Sequence, residues 1–176
     1  LTDCTFTDNS GTTSGGGIFS FDGSNPTLSN CAFTNNSASY GGGMYSSNNS
    51  PTLDNCTFEN NSASGGGGMY AYNSSPTLEG CTFTNNSAIE AGGGMYVYDG
   101  SNQTLSNCAF TNNSATYGGG MYNNSSNSSL TLNNCTFTSN TSAVTAGGMY
   151  NYTSSPTLDG CMFTNNSANI AAGGMF

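Results

Sequence analysis

The chain has 176 residues and carries only acidic side-chain charges: Lys, Arg and His are absent, and nine Asp and Glu residues give a net charge of −9. No side chain can neutralise phosphate groups, so nucleic acids and anionic membrane surfaces are excluded as partners. Ten Phe and ten Tyr residues, many of them at fixed spacing, predict a folded chain although charged residues make up only 5%.

A unit of 25 to 27 residues repeats along the chain, and one cysteine marks each copy. A period in the twenties is typical of a solenoid. We predict that the cysteines form one inward column and pack as small apolar residues. Neighbouring Cα atoms would lie ~4.8 Å apart, which allows a disulfide but with poor dihedral geometry. The column comprises Cys4, Cys31, Cys56, Cys81, Cys108, Cys135 and Cys161.

Each copy predicts three short strands in a fixed order. The first is Cys-x-Phe, whose two apolar residues point to the same side of a strand. The second begins with Met or Ile after two or more glycines, and the third is Pro-Thr-Leu or a variant of it. The predicted inward residues are Phe6, Phe33, Phe58, Phe83, Phe110, Phe137 and Phe163, then Ile18, Met44, Met69, Met95, Met121, Met149 and Met175, then Leu28, Leu53, Leu78, Leu105, Leu132 and Leu158.

Three short strands in each repeat of 25 to 27 residues predict an all-β fold, a parallel β-helix of about seven coils with three strands each. Residues 1–176 would form one repeat domain in which each coil rises by ~4.8 Å and buries its apolar side only against the next coil. The glycines suit a corner where the backbone bends or approaches its neighbour closely. An Asn three residues after each Phe predicts a stacked hydrogen-bonding ladder. The ladder comprises Asn36, Asn61, Asn86, Asn113, Asn140 and Asn166.

The repeated Phe-x-x-Asn and Gly-Gly-x-apolar motifs, from Phe6-x-x-Asn9 to Gly174-Met175, resemble the repeats of the chlamydial polymorphic outer-membrane proteins. They are also similar to right-handed β-helix proteins of bacterial surfaces. The resemblance implies a right-handed parallel β-helix that is exposed at a cell surface and acts in adhesion. This chain has Met where that family usually has Ile, Leu or Val.

The residue after each inward Met or Ile should point outward. This alternation predicts an exposed aromatic stripe, which could stack on sugar rings or pack against a neighbouring fibre; alternatively, the rings only stack on one another. The main column comprises Phe19, Tyr45, Tyr70, Tyr96, Tyr122, Tyr150 and Phe176. A partial second column, two residues further on, comprises Phe21, Tyr72, Tyr98 and Tyr152.

Asn-x-Ser/Thr sequons recur with the repeat and make candidate glycan acceptors if the chain passes through a secretory compartment. The periodic set is Asn35, Asn60, Asn85, Asn112, Asn140 and Asn165. Outward Thr-x-Thr pairs such as Thr82 and Thr84 resemble those of ice-binding β-helices. Ala32, Glu59, Ala109 and Met162 interrupt that array, so ice binding is a minor alternative.

Catalysis has little support in the residues. Without Lys, Arg or His, a polysaccharide lyase lacks its base and a serine nucleophile lacks its activator. Asp54 and Glu79 are predicted neighbours, but nothing near them would raise either pKa for glycosidase chemistry. Cys-x-x-Cys pairs are also missing, so we expect no enzyme, no metal and no cofactor.

Two functions therefore compete. The first is an extracellular structural protein that forms or extends a surface fibre by end-to-end or lateral self-association. The second is a surface adhesin whose aromatic stripe binds glycans or host molecules. Neither end shows the polar cap that solenoids use to protect strand edges, so we expect an excerpt or one unit of a longer array. No apolar run approaches the ~20 residues of a membrane span, and we expect no membrane insertion by this segment.

Overall fold

A computed structural model describes residues 1–100, 102–125 and 129–176, which wind into a parallel β-solenoid. Every strand pairs in parallel with the strand one repeat before or after it, for example Phe58 with Phe83 and Met69 with Met95. We number the coils 1 to 7 by their phenylalanines, from Phe6 to Phe163. All strands are short, and no helix occurs in the described part of the chain.

Four sheets run along the solenoid, and each is named here after a residue that recurs in its strands. The phenylalanine sheet comprises Thr5–Thr7, Ala32–Thr34, Thr57–Glu59, Thr82–Thr84, Ala109–Thr111, Thr136–Thr138 and Met162–Thr164. The serine sheet comprises Ser62–Gly65, Ser87–Ala91, Ser114–Tyr117, Thr141–Thr145 and Ser167–Ala168. The methionine sheet comprises Ile18–Phe21, Met44–Ser47, Met69–Tyr72, Met95–Tyr98, Met121–Asn124 and Met149–Tyr152. The leucine sheet comprises Thr27–Ser29, Thr52–Asp54, Thr77–Glu79, Thr104–Ser106, Thr131–Asn133 and Thr157–Asp159.

The parallel β-helix prediction is confirmed, but its three strands per coil are corrected to four. The missed strand is that of the serine sheet, for example Ser62–Gly65. Its small residues show neither the apolar alternation nor the β-branched side chains that mark a strand in sequence. It forms because it packs against glycine backbone: a Cβ on Gly42 would lie 2.5 Å from the Ser62 carbonyl oxygen.

The core is a set of continuous columns. Consecutive phenylalanine rings from Phe6 to Phe163 are parallel to within 2 to 8°, with centroids 4.6 to 4.9 Å apart. The leucines and methionines of the inner coils are fully buried beside them. Every coil therefore supplies the packing surface that the next one needs, as expected for a solenoid.

Each glycine of the Gly-Gly-Gly-Met corner has its own role, as coil 3 shows. Gly66 has φ +64°, a left-handed conformation that glycine adopts without strain. A Cβ on Gly67 would lie 2.5 Å from the Gly93 oxygen of the next coil, and one on Gly68 would lie 2.8 Å from the Phe83 ring. The triplet thus combines a turn, a close backbone approach to the next coil and a surface on which a phenylalanine ring packs.

The predicted asparagine ladder is present and begins one coil earlier, at Asn9. In Asn61, the main-chain N–H and Nδ2 donate to Oδ1 of Asn86 at 2.9 and 3.0 Å. Its Nδ2 also donates to the Phe33 oxygen, 2.9 Å away in the preceding coil. The same pattern links every coil, and its inner members are fully buried. Each amide therefore bridges three successive coils.

Candidate functional site

The main aromatic column is continuous from coil 1 to coil 7. Its neighbouring ring centroids lie 4.8 to 5.4 Å apart from Phe19 to Phe176. Most pairs are stacked, whereas the two pairs that Tyr96 makes with Tyr70 and Tyr122 are edge-on. Such contacts add about 0.5–1.5 kcal/mol per pair beyond area burial, so the column stabilises the stack whatever else it does.

The exposure of this column is uneven, and the prediction for Tyr70 was wrong. Tyr70 is only 8% exposed, because Tyr40 covers it at a centroid distance of 5.2 Å. Gly65, the small residue beside it, leaves room for that overlap. Tyr45, Tyr96, Tyr122 and Tyr150 are half-buried, and Phe19 and Phe176 are exposed.

The second column is more accessible. Tyr72 is 38% exposed and Tyr152 is 50% exposed, whereas Tyr98 is half-buried against Tyr72 at 5.7 Å. Sequence reasoning missed Tyr40 and Tyr117, although each directly precedes a glycine triplet. We call the accessible and half-buried set the tyrosine face: Tyr40, Tyr45, Tyr72, Tyr96, Tyr98, Tyr117, Tyr122, Tyr150 and Tyr152.

Burial holds three phenols of the main aromatic column in their neutral form. Burial raises the pKa of Tyr96 to about 12, although a hydrogen bond with Asn124 opposes the shift. Burial, then the neighbouring tyrosines, also raises the pKa of Tyr70 and Tyr122. Tyr96 and Tyr122 therefore present uncharged hydroxyls and ring surfaces at neutral pH, the combination that stacks on sugars or on other aromatic groups.

Five of the six candidate glycan acceptors share one exposed corner, and the sixth does not. Asn35, Asn60, Asn85, Asn112 and Asn165 are exposed, with φ of 55 to 56°. Asn140 was wrongly included: it is fully buried and belongs to the asparagine ladder. Ser139 occupies the corresponding corner in its coil, with φ 55°, so the sequon there falls one residue later.

The cysteine column lies inside the solenoid, and all seven thiols are free. Hydrogen bonding with Cys81 and then burial raise the pKa of Cys56. Contacts with Cys135 and Cys81, then burial, raise that of Cys108. Hydrogen bonds from its neighbours lower the pKa of Cys81, but burial opposes them. A thiolate at Cys56 or Cys108 would be a buried charge in a chain without cations, so these two thiols stay protonated at neutral pH.

With this geometry in view, the chain can be placed among known proteins. A family described as the right-handed β-helix region matches residues 1–168. The chain belongs to the right-handed β-helix family. No curated protein and no solved structure matches it. The family includes some pectate lyase-like enzymes, and its fold is also compatible with a non-enzymatic role, so membership establishes the architecture and leaves the function open.

The remaining polar groups of this β-helix form no assembled reactive centre among the described residues. Asp54 and Glu79 are register neighbours, as predicted, and each accepts a hydrogen bond from a nearby asparagine. The Thr-x-Thr pairs of the phenylalanine sheet stand in register, with Thr5 beside Ala32 and Thr84 beside Glu59. Over the described ranges, no three Cys, Asp or Glu side chains gather where they could hold a metal ion.

Within residues 1–100, 102–125 and 129–176, no α-helix is long and apolar enough to cross a membrane.

Proposed function

We propose that this chain is a non-enzymatic structural protein of the cell surface or extracellular space, and that its stacked coils form or extend a fibre. The observation that carries the proposal is the continuity of its columns. The phenylalanine stack, the asparagine ladder and the aromatic column all run from coil 1 to coil 7 with near-constant spacing.

The two ends of the asparagine ladder are complementary. Each ladder residue donates its main-chain N–H to Oδ1 of the next, so at coil 1 the ladder presents Oδ1 of Asn9 as an acceptor. At coil 7 it presents the main-chain N–H of Asn166 as a donor. A further coil, whether in the same polypeptide or in another copy, would continue the ladder at either end.

The surface chemistry suits such a role. Charged residues make up 5% of the chain and all are acidic. Asn, Ser, Thr and Tyr cover the surface instead, and these groups stay uncharged over the ordinary pH range. Coils that stack without burying unpaired charge avoid the large desolvation cost that buried ions carry.

Electron microscopy of the purified chain at neutral pH tests the proposal. We expect filaments whose power spectrum shows a ~4.8 Å axial repeat that continues from one copy to the next. Short rods of uniform length at every concentration, with no filaments, would contradict axial assembly of this chain. A charge at the ladder end, Asn9→Asp, should shorten or abolish the filaments, because a carboxylate in the stack would be buried without a cation.

A surface adhesin is the second candidate, and the tyrosine face favours it. Tyr72, Tyr98 and Tyr152 offer aromatic rings in one column, and aromatic rings stack on the apolar faces of sugars. The resemblance to chlamydial surface repeats points to the same role. A glycan-array screen of the unassembled chain tests this candidate. Binding that Tyr72→Ala removes, with the fold intact, would favour it over the fibre.

Glycosylation is proposed for the exposed corner Asn35, Asn60, Asn85, Asn112 and Asn165, on condition that the chain is secreted through a glycosylating compartment. Mass spectrometry of chain made in such a host should find glycans at these positions and none at Asn140.

A further inference from the structure

The serine sheet carries a pattern of coil lengths that the functions proposed above do not use. In each coil, the serine-sheet segment runs from the residue after the ladder asparagine to the residue before the glycine corner. This segment has four residues in coils 2, 3 and 5, and five residues in coils 1, 4, 6 and 7. The fifth residue forms a bulge, and it shifts the register wherever a longer coil meets a shorter one. We call this surface the serine face.

The bulges shape the surface into ridges and a groove. The short coils 2 and 3 form the floor of a groove of about 440 Å³, lined mainly by serine and alanine. Thr12 of coil 1 and Ile89 of coil 4, both in bulges, line it as well. Coils 6 and 7 are adjacent long coils, and they form a ridge two coils wide that matches the two-coil width of the groove.

The bulges also expose apolar side chains. Ile89 is 73% exposed and Ile170 is 74% exposed, the highest values among the large apolar residues described. Val144 in the coil 6 bulge is half-exposed. Glu90 alone is charged among the residues described on this face. The groove has a floor of small uncharged residues, and the isoleucines protrude from the ridges. The groove and the ridges are therefore complementary in shape and in polarity.

The pattern of coils 2 to 7 is self-complementary when a second copy lies antiparallel. Coil 2 then faces coil 7, coil 3 faces coil 6, and coil 4 faces coil 5, so a long coil meets a short one in every pair. We propose that the serine face is a homodimer interface, in which two copies pair antiparallel about a two-fold axis between coils 4 and 5. Such an isologous contact is closed, and it needs no axial stacking.

The size and charge of this face set the expected strength. Six coils of ~4.8 Å by four residues of ~3.3 Å give about 400 Å² on each copy, which places the contact at the weak end of specific interfaces. Glu90 of the two copies would lie about one coil apart, on either side of the axis, so their repulsion opposes pairing. We therefore expect a dimer of micromolar or weaker affinity that strengthens as salt screens the charges.

Sedimentation equilibrium of the full chain, before any filaments form, measures this pairing. Ile89→Asn and Ile170→Asn should each weaken dimerisation at least about tenfold, because each change acts twice in a symmetric dimer. Met162→Asn is the matched control, since Met162 is also exposed but lies on the phenylalanine sheet, and it should leave the dimer unchanged. Glu90→Gln should strengthen pairing several-fold, and more than Glu59→Gln, which removes the same charge from another face.

Disulfide mapping fixes the orientation. Ser64→Cys in coil 3 of one copy should cross-link to Ala143→Cys in coil 6 of another when the two variants are mixed. Ser64→Cys alone should not cross-link to itself, because the two residues would lie three coils, or ~14 Å, apart along the axis. A chain that stays monomeric at millimolar concentration would overturn the proposal, and so would a Ser64→Cys self-cross-link. Loss of the dimer with filaments retained would leave the fibre proposal standing.

Discussion

The main-chain N–H and Nδ2 of Asn86 both donate to Oδ1 of Asn113, at 2.9 and 3.1 Å, and so connect coil 4 to coil 5. Nδ2 of Asn86 also donates to the Phe58 oxygen in coil 3. One buried amide therefore supplies hydrogen bonds that the backbone ladders do not provide at this corner, and its loss would leave several buried polar groups without partners.

Asn86→Ala should lower the free energy of unfolding by about 3 kcal/mol or more, because each unsatisfied buried group costs about 1–3 kcal/mol. Urea denaturation followed by circular dichroism measures the change. The neighbouring Asn85→Gly is the matched control: Asn85 is exposed with φ 55°, so it should change stability by less than about 0.5 kcal/mol. Equal effects at the two positions would rule out a structural role for the ladder.

Ala146 occupies the first glycine position of its corner, with φ 61° and no exposed surface. A non-glycine residue in this conformation costs about 1 kcal/mol. Ala146→Gly should therefore stabilise the chain by up to about 1 kcal/mol in the same denaturation experiment. Ala115→Gly, in the strand Ser114–Tyr117 of the serine sheet, should instead destabilise it by roughly 0.5–1 kcal/mol. A loss of stability in both variants would refute the strain at Ala146.

Tyr70 and Tyr72 should respond differently to truncation although they lie two residues apart. Tyr70→Ala removes a buried ring that contacts three other tyrosines, and it should cost about 3–5 kcal/mol. Tyr72→Ala removes a more exposed ring and should cost roughly 1 kcal/mol. Thermal unfolding of the two variants makes the comparison. Tyr72, not Tyr70, is therefore the better variant for testing glycan binding.

Some columns of the solenoid could be predicted from the sequence and others could not, and the difference lies in the residues that form each column. The Phe, Leu, Met and Asn columns were predictable, because each recurs once per coil and is apolar or has a strong hydrogen-bonding reason to stack. The serine sheet was not, because its strands consist of small residues held by glycine backbone. The burial of Tyr70 depends on Tyr40 in the preceding coil, a contact that no periodicity within the strand reveals. Asn140 was misplaced because a Ser replaces the first Asn of that corner.

Alkaline pH should destabilise the chain, and the raised pKa of Tyr96 explains why stability falls as the pH rises. Burial raises its pKa in the folded chain to about 12, above the ordinary value of 10.0. The folded state thus holds its proton where the unfolded state loses it, and the stabilisation is complete below about pH 10 and is lost as pH rises towards 12. The melting temperature should fall across this window, and Tyr96→Phe should reduce the slope. A slope identical in Tyr96→Phe would contradict the assignment.

Thiol reactivity should divide the cysteine column into ends and interior. Cys4 and Cys161 are partly exposed, whereas the five between them are buried. Because only an accessible thiolate reacts, a thiol reagent should label Cys4 and Cys161 first in the folded chain, and the other five only at the rate of local or global opening. Peptide mass spectrometry over a labelling time course identifies the sites.

If two copies stack end to end as proposed, assembly should slow the labelling of Cys4 and Cys161 towards the interior rate. The antiparallel dimer leaves both ends of the column open and should not change it, so the same experiment separates the two modes of association.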